Sequence, residues 1–211
     1  LSEIQNVGKN VDFHLVALDQ PTIVPNAKGC RPVERAASSL ICKLKGGVQP
    51  ANRSKEEMFG EDAPIWRFLD NLAYEQHPYR AHASSEGEFL IEVFPALTLS
   101  AWVPDIMSRV RGLKYNLTHR ASAAGLASLA AWLETQMSLD RPLKSDQDKL
   151  DSVICALTAL EFKQSSVASS VILGDPVNGY IVTPASAETR AIIRRAAERY
   201  GVPISDLRAW G

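Results

Sequence analysis

Cysteine is scarce in this chain, with Cys30, Cys42 and Cys155 the only three in 211 residues. An odd number without a CxxC spacing suggests neither a disulfide framework nor a zinc site. No apolar run approaches the roughly 20 residues of a membrane-spanning helix. No signal peptide is visible either. The expectation is therefore a cytoplasmic protein without a membrane partner. An excess of one charge is also missing: 23 Lys and Arg face 24 Asp and Glu, for a net charge of −1. With no general positive field, a nucleic-acid partner would have to be held by a local basic surface. The sequence contains no Gly-rich phosphate loop to support a kinase, no internal repeat and no low-complexity tract.

What the chain does have is apolar residues, at 45% of the total, enough for a sizeable core. Its length suits one domain, or one domain with an insertion. Val11–Leu18 reads as a buried strand of β-branched and aromatic residues, stopped by Pro21. Glu88–Phe94 reads as a second buried strand, stopped by Pro95. Ala168–Gly174 and Gly179–Pro184 read as two more. Helices are expected from Arg31 to about Leu44, at Pro64–Tyr74, at Ala96–Trp102, at Ala121–Met137 and at Ala187–Tyr200, where Gly201 supplies the C-terminal stop. Residues 46–86 read as a loop-rich insertion. His77 and His82 within it lack helical i, i+4 spacing and are expected in a loop. Strands alternating with helices give an α/β domain.

The chemistry gathers around acids. Ser145–Phe162 reads as a largely buried helix with Asp148 and Asp151 one turn apart near its start. Carboxylates among apolar residues need compensation, and a divalent metal is one form of it. An Asp-rich first turn favoured by the helix dipole is the structural alternative. Asp19 ends the first strand, at the sheet edge where open α/β folds bind ligands; it equally suits a turn or a helix cap. Glu92 lies in apolar surroundings, either as a partnered sheet-edge carboxylate or as a metal-site neighbour. Arg109, Arg111, Lys114, His119 and Arg120 form the strongest local basic cluster, with Tyr115 among them.

These stretches together carry a resemblance. IEVFPAL at Ile91–Leu97, GLKYN at Gly112–Asn116 and the D-x-x-D-S-V-I-C-A-L-T-A-L helix resemble the domain-of-unknown-function family 429. VALDQP, the Gly29–Ala36 stretch with Arg31 followed by an acid and a base, and GYIVTP with Arg190 downstream fit the same pattern. Members of that family are predicted to be nucleases with an RNase H-like fold, more distantly similar to RuvC-type junction resolvases. The resemblance implies an RNase H-like mixed five-stranded sheet flanked by helices. It implies Asp19, Asp148 and Asp151 as catalytic acids, and those three together with Glu92 as metal ligands. Lys114, Arg120 and Arg31 would contact substrate. The metal would be Mg²⁺ or Mn²⁺, and the reaction phosphodiester hydrolysis.

One departure stands out. RNase H-like enzymes open with a three-stranded meander whose first strand supplies the first catalytic Asp. Only about ten residues precede the Asp19 strand, too few for three strands. The expectation is a single domain over residues 1–211 that lacks this N-terminal meander, as a fragment of a longer protein would. The rival reading is a catalytically inactive RNase H-like domain that binds nucleic acid or protein. Oligomeric state is left open, a dimer included.

Overall fold

The computed structural model describes residues 2–44, 47–105, 120–136, 147–164 and 169–206. Helix α1 (Ser2–Gly8) leads into strand β1 (Phe13–Leu18). Next come α2 (Pro32–Ile41), α3 (Glu56–Phe59), α4 (Pro64–Leu72) and α5 (Pro78–Ala83). Strand β2 (Gly87–Glu92) is followed by α6 (Pro95–Trp102), α7 (Arg120–Gln136) and α8 (Gln147–Gln164). The chain then forms β3 (Ser170–Asp175), β4 (Gly179–Pro184), α9 (Ala187–Tyr200) and β5 (Ile204–Asp206). The protein is thus a mixed α/β fold.

Proline sets much of this punctuation. Pro32, Pro64, Pro78 and Pro95 each stand in the first turn of a helix, where the missing N–H costs nothing and the fixed φ suits the helix. Pro95 also closes off the extended run after β2, so strand and helix meet abruptly there.

β1 and β2 pair in parallel, from Phe13 opposite Gly87 to Leu18 opposite Glu92. β3 pairs antiparallel with β4 on one side and β5 on the other. A single parallel bridge, Val93 to Val182, joins the two ladders. Glu75 makes a second parallel bridge, to Phe89. The side chains carry the continuity that the ladders do not. Phe89, Ile91, Val93, Ile172, Tyr180 and Val182 share one core cluster with Cys155, Ala159 and Phe162 of α8, and Phe13, Leu15 and Ala17 pack against it. Their alternation along each strand is the period-2 signature of a single sheet face. The opposite face presents Val171, Leu173 and Ile181 to α2 and α9. Helices therefore cover both faces.

α8 shows how an amphipathic helix selects its face. Leu150, Asp151, Ile154, Cys155, Thr158, Ala159 and Phe162 are all buried. Their spacing of one and four residues is a helical stripe. Leu160 lies off that stripe and is 49% exposed.

Several expectations need correction. Residues 46–86 contain three helices, α3 to α5, and bury Ala51 and Phe59 against Val24. His77 stands just before α5, outside the helix as expected, but His82 is not in a loop. His77 caps α5, its Nδ1 accepting the Arg80 N–H at 3.3 Å, and His82 lies within the helix. Pro78 was the missed signal, since it starts the helix rather than breaking it. β1 is half-buried rather than buried, because among the described strands it pairs only with β2. The antiparallel strands come last in the chain, and β5, at three residues, is too short to leave a pattern. Leu129 and Leu133 of the α7 stripe are buried as expected. Met137 lies outside the described residues, as does the basic cluster before Arg120.

The β3–β4 hairpin leaves no room at Gly174. Its φ is +99°, and an added Cβ would stand 2.2 Å from the Gly179 carbonyl oxygen. Gly174→Ala should lower stability by about 1–3 kcal/mol, read from the urea midpoint. Val177→Ala at the exposed turn should change it by less than about 0.5 kcal/mol.

Candidate functional site

The parallel pair ends where its two acids sit. Glu92 is the last residue of β2, and Asp19 follows directly after β1. Ligands in open α/β sheets gather at this carboxyl edge. Asp19 continues the odd-numbered series Phe13, Leu15, Ala17, which faces α8. Asp151 lies on the buried stripe of α8, 6% exposed and one turn before Cys155. An open cavity of about 570 Å³ forms there, and its lining includes Asp19, Arg31, Glu34, Lys55, Glu92 and Asp151. Asp148, one turn earlier on α8, is exposed and stands at the periphery. The paired display of carboxylates expected on α8 thus resolves into one buried acid and one exposed acid.

The consequence for Asp19 is electrostatic. Burial, and then the negative charges of Asp151, Glu92 and Asp148, push its carboxyl up to about 7. The side chain still reaches solvent, and water screens part of that repulsion. The same surroundings act on Cys155. Burial, with Asp19 and Asp151 nearby, pushes its thiol well above its ordinary range. Its thiolate, the nucleophilic form, is correspondingly disfavoured.

Glu92 has a different occupation. Its Oε2 accepts from Arg31 Nη1 at 2.9 Å and from the Thr22 N–H at 3.1 Å, and its Oε1 accepts from Arg31 Nη2 at 2.5 Å. Arg31 is 1% exposed and Glu92 2%. Arg31 Nε reaches Glu34 Oε1 at 2.9 Å, and Nη1 also reaches the Ile23 carbonyl at 3.0 Å. Glu34 returns the contact, its Oε2 accepting the Arg31 N–H at 3.0 Å, and both of its oxygens accept from Ala51 N–H. Burial raises the Glu92 carboxyl, opposed by the guanidinium and by Thr22 N–H. The two carboxylates in turn raise Arg31, against its burial. A two-pronged guanidinium this close holds the pair in its ionic form.

Of the two roles open to Glu92, the structure therefore shows the partnered carboxylate. Both oxygens are engaged, so it is a neighbour of the acid site, not an open metal ligand. Arg31 is likewise enclosed between two carboxylates, which does not suit the expected substrate contact. Lys114 and the side chain of Arg120 lie outside the described residues. Sequence reasoning missed the part played by Glu34. The signal was present: an Arg and a Glu three residues apart where α2 begins.

Among the described residues, no three His, Cys, Asp or Glu side chains are grouped so as to hold a metal ion. Magnesium does not require such a cage. It is bound through one or two carboxylates, with waters and substrate phosphate oxygens completing the shell. Asp19 and Asp151 offer hard oxygen donors, and the charge of Asp151 already disfavours the charged form of Asp19. The donor chemistry fits Mg²⁺ or Mn²⁺.

Residues 1–176 match the family described as Protein of unknown function (DUF429). The chain belongs to that family. No curated protein and no solved structure matches it. Within this DUF429 chain, the match includes the whole Arg31–Glu92 pair, Asp19 and the acid-bearing helix α8.

Two tests follow from the geometry. Arg31→Met strands Glu34 and Glu92 without a cation, and should destabilise the protein by about 3–5 kcal/mol in urea unfolding. Adding Glu92→Met should recover part of the loss; unchanged stability in the single variant would sink this account. For Asp19, the sign follows from its raised carboxyl. The native state keeps a proton that the unfolded chain has lost above the ordinary value of 3.8. Stability should therefore fall as pH rises from about 4 to about 7. In chelator, thermal midpoints across that window should decline for the wild type and flatten for Asp19→Asn.

Proposed function

We propose that this protein is a metal-dependent nuclease that hydrolyses phosphodiester bonds at the cavity between Asp19 and Asp151. The observation that carries the reading is the convergence of acids from separate parts of the chain. Asp19 comes from β1 and Asp151 from α8. Asp148, Asp151 and Glu92 together raise the carboxyl of Asp19. Like charges gathered at one cavity are costly in a folded protein and are a marker of function. A divalent cation would remove that cost. The resemblance to predicted nucleases of RNase H-like fold gives the chemistry its direction. A two-stranded parallel sheet and a three-stranded antiparallel sheet, with helices on both faces, are compatible with it, although they do not form the single five-stranded mixed sheet expected and the antiparallel strands follow the parallel pair in the chain.

Each residue has a defined role in this reading. Asp19 and Asp151 would hold Mg²⁺ or Mn²⁺, which would supply Lewis-acid stabilisation of the phosphodiester. Asp148, exposed at the rim, tunes the field and orients water. Arg31 does not touch substrate. It fixes Glu92 and the segment after β1, and so sets where Asp19 stands. Lys55 lines the same cavity and is its available cationic side chain among the described residues, suited to a phosphate oxygen. Cys155, one turn after Asp151 on α8, belongs to the core cluster rather than to the cavity wall.

The test is cleavage of branched, hybrid and single-stranded substrates with Mg²⁺ or Mn²⁺, by the wild type and by Asp19→Asn and Asp151→Asn. Each variant should lose more than the roughly 10–100-fold that removing an outer partner of a metal costs. Wild-type activity in Asp151→Asn would remove that residue from the site. No cleavage of any substrate, with binding retained, would favour a non-catalytic nucleic-acid-binding domain.

A further inference from the structure

A second cavity, of about 410 Å³, opens on the other side of the segment that follows Asp19, bordered by Thr22, Ile23, Pro25, Arg53, Trp66 and Gln76. Two features set it apart from an ordinary surface hollow. Thr22 is 4% exposed, yet its Oγ1 has no hydrogen-bond partner among the described residues, and the same holds for the buried Oε1 of Gln76. Buried polar atoms are rarely left unpaired, and each carries a desolvation penalty until something pairs with it. Beside them, the Arg53 guanidinium lies 4.1 Å from the centre of the Trp66 ring. Backbone contacts fix that stack. Arg53 Nε donates to the Val24 carbonyl at 2.8 Å, and Nη1 to the Phe59 carbonyl at 3.3 Å. Trp66 Nε1 donates to the Gly60 carbonyl at 2.6 Å.

The cavity thus offers a flat cationic plate, apolar walls and two oxygens that can accept N–H groups. A guanidinium plane stacks on π-systems, and base stacking on such platforms tolerates any base. A Gln side chain pairs with the amino-bearing edge of a heterocycle. Position adds the last element. Thr22 is three residues from Asp19, roughly 10 Å of chain at most, and its N–H is bonded to Glu92.

We propose that this cavity is a base-binding subsite, holding one nucleobase of a single-stranded nucleic acid next to the phosphate that lies at the acids. The proposal rests on the nuclease reading for its choice of ligand, but it concerns different residues. The base stacks on the face of the Arg53 guanidinium that Trp66 does not cover, and Thr22 and Gln76 accept its N–H groups.

The experiment measures equilibrium binding of short labelled single strands by fluorescence anisotropy, in chelator so that nothing is cleaved. An intact strand is compared with one of the same backbone carrying abasic sites. The wild type should bind the intact strand at least about tenfold more tightly, as a stacked base requires. Thr22→Val keeps the backbone N–H to Glu92 and the side-chain shape. Gln76→Leu removes an unpaired acceptor. Both should keep or raise the thermal midpoint while losing several-fold in affinity for the intact strand, and little for the abasic one. A purely structural role would not separate those two readouts. Equal affinity for the two strands, no binding of either, or wild-type affinity in both variants would overturn the subsite. Base-dependent binding without metal-dependent cleavage would uphold the subsite while counting against the chemistry assigned to Asp19 and Asp151.

Discussion

One buried cation orders the centre of this molecule. Arg31 has no water to solvate it and no freedom to leave, so its neighbours must arrange themselves around it. Burying an ion costs several kcal/mol, and only close, geometrically matched partners offset that cost. Glu92 and Glu34 provide the match, and each belongs to a different element: the end of β2 and the start of α2. Through Glu34 the constraint reaches Ala51, and through Glu92 it reaches Thr22. Gly179 on β4 is shaped by it as well: an added Cβ would lie 2.8 Å from Arg31 Nη1, at a φ of +93°. Strand ends, helix start and hairpin are held in register by one side chain.

That arrangement leaves the cavity electrically unbalanced. Arg31 answers for one of its two carboxylates. Asp19 and Asp151 then add to the negative side, and Lys55 at the wall is half-exposed. A fold selected only for stability would not collect acids in this way. Strain concentrated at a sheet's carboxyl edge is the pattern expected where local stability has given way to chemistry. The acids differ in their surroundings. Glu92 is committed to Arg31, and Asp19 and Asp151 face the cavity from separate elements.

Much of this was legible in the chain. The strand leading to Asp19, the strand leading to Glu92 and the helix carrying Asp151 are each written in local pattern, and the prolines mark their ends. The pairing of Arg31 with Glu92 was not, because the two are 61 residues apart and periodicity carries no information across that distance. The buried stripe of α8 is obscured for a related reason. An almost continuous apolar run hides which side is inward, and only packing against β1 places Asp151 in and Leu160 out. His82 escapes a local reading because a proline that stops one element also begins helices. The short β5 exists through its ladder with β3 and has no propensity signal of its own.

The parallel ladder has a consequence for how the molecule is made. Joining position 13 to position 87 closes a long stretch of chain before any hydrogen bond can offset the lost entropy. Antiparallel β3 and β4, separated by a short turn, face no such delay. The hairpin and local helices therefore face the smaller loop-closure cost, and the β1–β2 edge the larger. The acid cavity needs that edge and α8 together, so its acids meet only once both are in place, and in the unfolded chain they lie far apart in sequence.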